Sequence, residues 1–117
     1  MSGVWDAGVN TGVLTPSEFV RVTSTNAAQI FNIYPRKGVI AVGADADIVV
    51  WDPEGTRTIS ARTQFAKGGF NVFEGRTVKG IPSTTLAAGV VVFHRGDLMA
   101  VAGAGRHIDR PAFNQGA

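Results

Sequence analysis

The chain has 117 residues, 44% of them hydrophobic and 17% charged, enough for one domain with its own core and unlike a disordered composition. Its 11 basic and 9 acidic residues leave a net charge of +2. The basic residues are scattered, with no run interleaved with aromatics, so nucleic acid is not an expected partner. Cysteine is absent, which excludes disulfides, thiolate metal sites and a cysteine nucleophile.

The opening Met1-Ser2-Gly3-Val4-Trp5-Asp6 lacks a basic stretch followed by an apolar one and does not read as a signal peptide. No apolar run approaches the ~18 residues of a membrane span. A membrane is therefore not an expected partner, and the expected location is the cytoplasm.

The first third of the chain reads as helical. Thr15-Pro16-Ser17-Glu18 is a capping box: the Thr15 hydroxyl accepts from the Glu18 amide and the Glu18 carboxylate from the Thr15 amide. Pro16 suits the first helical position, and Leu14 and Phe19 occupy the two places of a hydrophobic staple. The spacing predicts a helix from Pro16 to Thr23. Ser24, Thr25 and Asn26 then supply a second cap, followed by Ala27, Ile30, Phe31 and Tyr34 at helical intervals. Pro35 is expected to stop this helix. Arg36-Lys37 would then be a solvated helix end, where cations favour the dipole.

From Gly38 the pattern turns to strands. Ile48-Val49-Val50-Trp51 is an apolar run between turn signals, expected as a strand buried on both faces and ended by Asp52-Pro53-Glu54-Gly55. Arg57 to Ala61, Asn71 to Glu74 and Arg76 to Lys79 are weaker strand candidates. Val90 to Phe93, a turn over His94-Arg95-Gly96-Asp97, and Leu98 to Val101 read as a β-hairpin. The expected organisation is a helical segment 1–37, a β-rich segment 38–101 and an irregular tail 102–117. The fold class is α+β, with short N-terminal helices followed by antiparallel strands.

Chemistry-bearing constellations are sparse. His94, placed in a turn, and His107, placed in the tail, are the only histidines. Asp45-Ala46-Asp47 has the look of a two-carboxylate metal motif, but after Gly43 it reads better as a turn entering a strand. Gly68-Gly69 and Gly103-Ala104-Gly105 lack the strand-then-helix setting of a phosphate loop. No catalytic, cofactor-binding or metal-ligating residue is assigned.

Several segments nevertheless resemble one family. They are Leu14-Thr15-Pro16-Ser17-Glu18-Phe19-Val20, leading into Thr23 to Phe31; Tyr34-Pro35-Arg36-Lys37-Gly38; Ala41 to Pro53; and Asn71-Val72-Phe73-Glu74-Gly75 with Gly80-Ile81-Pro82. Together they are similar to the C-terminal end of the D-hydantoinase and dihydropyrimidinase family of the amidohydrolase superfamily. The match runs from about Val4 to Phe113. It departs from the family at Phe65 and Gly69, where the family has a histidine and an aspartate.

The resemblance implies that residues 1–37 are the last helices of a β/α barrel and 38–101 strands of a partial β-sandwich. It implies a whole enzyme that hydrolyses cyclic amides with two zinc ions bridged by a carboxylated lysine, all ligands lying upstream. For this chain it implies no cofactor and a structural, self-associating role, as a homodimer or higher homo-oligomer. Two other roles stay open. One is a stand-alone β-rich binding module derived from the family; the other is half of a split hydantoinase, paired with an N-terminal barrel fragment.

Overall fold

The computed structural model describes residues 1–113; the end of the tail, 114–117, lies outside the described residues. Two helices precede a four-stranded antiparallel sheet. The first helix opens as an α-turn over Ser2–Val4 and widens into a π-turn over Trp5–Val9, where the Asn10 amide reaches back to the Trp5 carbonyl. No side-chain cap marks its start. Its contacts with the sheet hold it: Asp6 Oδ1 accepts from the Lys79 amide at 3.1 Å, and Asn10 Nδ2 donates to the Lys79 carbonyl at 2.9 Å.

The second helix begins at the expected capping box. Thr15 is extended (φ −75°, ψ 159°). Its hydroxyl accepts from the Glu18 amide at 3.2 Å, and Glu18 Oε2 accepts from the Thr15 amide at 2.9 Å. The expected break after Thr23 does not occur. Pro16–Val20 passes through a π-turn, Arg21–Thr25, into Asn26–Ile30 without leaving helical backbone. Thr25 is helical (φ −62°, ψ −49°) and caps nothing. Its hydroxyl donates instead to the Gly38 carbonyl at 2.8 Å, while that of Thr23 donates to the Phe19 carbonyl. These polar residues satisfy their hydroxyls within or beside the helix rather than at an end.

Nor does Pro35 stop this helix. It closes earlier, in a Schellman motif in which Asn32 takes the left-handed conformation (φ 55°). The Asn32 amide donates to Gln29 and the Ile33 amide to Ala28, the two bonds that define the motif.

The strands are β1 (Ile48–Thr58), β2 (Thr77–Ala87), β3 (Val90–His94) and β4 (Asp97–Leu98), ordered β1-β2-β3-β4. β1 corrects the sequence reading twice. It is not buried on both faces, since Val49 and Val50 are 42% and 48% exposed. Nor does Asp52-Pro53-Glu54-Gly55 end it: the register shifts between Asp52 and Thr56, and Asp52 Oδ1 accepts from the amides of Glu54 and Gly55. That short side-chain turn folds the extra residues into a bulge, and the strand continues.

β2 was legible only at its first residues. Pro82 sits at the register shift opposite Trp51, and β3 pairs only from Thr84 onward, so the missing proline N–H breaks no ladder bond to β3. Of Arg57 to Ala61, only Arg57 and Thr58 lie in a strand. Asn71 to Glu74 is a turn, closed by the Glu74 amide on the Asn71 carbonyl. The expected hairpin forms with a tighter turn and a shorter second strand, which covers only Asp97–Leu98 and leaves Met99 to Val101 outside it. Arg95 (φ 47°) and Gly96 (φ 103°) are its two loop residues, while His94 pairs with Asp97. Residues 102–113 carry no helix or strand.

The buried core is small: Trp5, Phe19, Ala28 and Val78, with Ser2 as the buried polar residue. It sits where the two helices meet β1 and β2.

Candidate functional site

Phe19 projects from the second helix, Trp5 from the first and Trp51 from β1, and the three rings meet. Their centroids are 5.1 Å (Trp5–Phe19), 5.2 Å (Trp5–Trp51) and 5.6 Å (Phe19–Trp51) apart, distances at which edge-to-face and tilted pairs attract. The indole N–H groups of Trp5 and Trp51 are both buried without a hydrogen-bond partner. Sequence reasoning missed this cluster. Residues 5, 19 and 51 fall in separate elements, and no spacing along the chain relates them.

Beside the cluster lies a groove of about 480 Å³ between the second helix and β1. Its apolar lining includes Val20, Phe31, Ile40 and Val49, which are 54%, 56%, 84% and 42% exposed. A contiguous apolar surface of this kind on a small chain marks a place where something packs. A second hollow, of about 600 Å³, is lined by Val4, Leu14, Ile59 and Phe73 together with Arg57 and Arg76; Arg76 pairs with Asp6 at 3.5 Å.

The charged part of the groove is Lys37, Asp45 and Asp47. The Lys37 ammonium bonds Asp47 and lies 2.9 Å from Asp45 Oδ2; Arg36 Nε also reaches Asp45 Oδ2, at 3.0 Å. Asp47 Oδ1 accepts from the Ala88 amide at 2.8 Å, and the Gly89 amide donates to the Ala46 carbonyl. Asp45-Ala46-Asp47 thus leads from the turn at Val42-Gly43 into β1, stitched both to the basic pair and to the β2–β3 loop. Arg36-Lys37 is not a solvated helix end: the helix closes before it, and the Lys37 side chain is only 20% exposed. The Lys37 hydrogen bond holds both carboxyls below the usual aspartate range, aided by Arg36 at Asp45 and by the Ala88 amide at Asp47. The bond to Asp47 likewise raises Lys37.

The two histidines are not brought together with these groups. His94 ends β3 rather than occupying the turn, and its Nδ1 shares a hydrogen bond with Thr84 Oγ1 at 2.9 Å. His107 is exposed, 3.5 Å from Asp109. Among the described residues no three His, Asp or Glu side chains gather as a metal site would need, and no helix is long and apolar enough to cross a membrane.

Residues 4–92 match the model of the amidohydrolase family. The chain is 53% identical over 113 residues to the dihydropyrimidinase of Rattus norvegicus, covering 97% of this chain and 22% of the rat protein. It is 55% identical over 115 residues to dihydropyrimidinase 2 of Caenorhabditis briggsae, covering 98% and 22%. Among solved structures it superposes on the D-hydantoinase of a Bacillus sp. AR9 with a TM-score of 0.89 at 40% identity, over 96% of this chain and 24% of that one. The chain therefore spans about a fifth of the length of these curated relatives. Its two helices and four-stranded sheet correspond to a fragment of the hydantoinase fold, and the chain belongs to the amidohydrolase family, in which it matches dihydropyrimidinases and hydantoinases over nearly its whole length.

Proposed function

We propose that this chain is the C-terminal segment of a dihydropyrimidinase- or hydantoinase-type hydrolase of cyclic amides, and that its own part in that enzyme is structural and associative. In this reading residues 1–37 are the last helices of a β/α barrel and residues 38–101 are sandwich strands. A cytoplasmic setting belongs to the same proposal.

The zinc pair of such an enzyme would be held by residues outside this chain. The donors present here do not fit it. The Asp45 and Asp47 carboxylates face the Lys37 ammonium and the Arg36 guanidinium, which would repel a divalent cation. His94 is tied to Thr84, and His107 stands beside a single carboxylate. In this proposal the hydrolytic step of the whole enzyme falls to residues elsewhere.

The apolar groove carries the associative part of the proposal. Fully burying one large apolar side chain contributes roughly 1.5–3 kcal/mol. Val20, Phe31, Ile40 and Val49 are already partly covered, so four on each of two copies contribute roughly 6–12 kcal/mol in all. Association costs about 4–15 kcal/mol in lost freedom. At the favourable end of these ranges the surplus is about 8 kcal/mol, which corresponds to a dissociation constant in the micromolar range. In this reading the isolated chain therefore forms a concentration-dependent dimer, with two-fold packing as the simplest arrangement because it uses the same face twice. Light scattering after size exclusion, from a few to several hundred micromolar, tests this. Mass should rise from one copy toward two across that range. A well-folded monomer at every concentration would overturn the associative reading.

A further inference from the structure

We draw no further inference here: the strongest candidate, the apolar groove between the second helix and β1 with the unpaired indole N–H groups of Trp5 and Trp51 beside it, belongs to the site already described, and nothing in the structure shows what covers it beyond that reading.

Discussion

The indole of Trp5 packs directly against the backbone of Gly80, so closely that a Cβ at Gly80 would stand 2.1 Å from Trp5 Cδ1 and 2.5 Å from Nε1. Gly80 also has a φ of 98°, which L side chains rarely adopt. The contact lets the first helix lie on β2 beside the bulge, and it places Trp5 where it meets Phe19 and Trp51.

Gly80→Ala should therefore add a steric cost to a backbone cost. Overpacking costs about 1–3 kcal/mol and the left-handed backbone about 1–2 kcal/mol. Gly12→Ala is the control: Gly12 has a φ of 79°, and a methyl group there would meet nothing within 4 Å, so it incurs only the second cost. Urea unfolding of both variants should show Gly80→Ala as clearly the weaker. Equal midpoints would mean that the Trp5 contact is not formed in solution.

Thr15→Ala removes the acceptor of the Glu18 amide and should cost about 1 kcal/mol, whereas Thr15→Ser keeps the hydroxyl and should cost much less. Thermal unfolding separates the two. If both variants melt with the parent protein, the capping box makes no contribution and the start of the second helix is frayed.

The carboxyls of Asp45 and Asp47 titrate below their ordinary value of 3.8. A group depressed on folding adds stability that is complete above its unfolded value and is lost as the pH falls through the folded one. The parent protein should accordingly lose melting temperature below about pH 4. Asp47→Asn should be less stable at pH 7 and should lose less on acidification, so the two curves converge. Lys37, raised above its ordinary value of 10.5, adds the mirror effect, with stability present at lower pH and lost as the pH climbs past that value. Parallel acid limbs for the two proteins would show that Asp47 and Lys37 do not pair in solution.

Phe31 is 56% exposed and lines the groove. Phe31→Asp should shift the proposed dimer toward monomer by about tenfold or more in concentration, because a carboxylate buried in an apolar contact loses its hydration. Circular dichroism should stay unchanged, since the side chain lies outside the buried core. Unaltered light scattering with intact structure would move the contact away from this groove.

Purified protein incubated with zinc should retain no stoichiometric metal and should turn over neither hydantoin nor dihydrouracil. Elemental analysis together with an ultraviolet assay of ring opening provides the check. One tightly held zinc per chain accompanied by turnover would contradict the assignment of the chemistry to residues elsewhere.

Where an element depends on neighbours along the chain, the residues announce it. Thr15, Pro16 and Glu18 lie within one helical turn, and Arg95-Gly96 needs only its flanking strands, so cap and hairpin were legible from local chemistry. Polar and breaker residues misled where a distant partner or the pairing of a neighbouring strand decided their role. Thr25 resembles a cap but bonds Gly38; Asp52-Pro53-Glu54-Gly55 resembles a strand end but folds into a bulge opposite β2. β2 itself, carrying Gly80 and Pro82, has poor intrinsic strand character and exists through its pairing with β1 and β3. The groove and the aromatic cluster were the least legible, because they join residues as far apart as Trp5 and Trp51. Sequence alone determined the capping box, the β3–β4 hairpin turn and the family, since local hydrogen bonds and motif residues are written consecutively. Only the tertiary structure decided which apolar faces met one another and which stayed open, because burial depends on what the folded chain places across from each side chain.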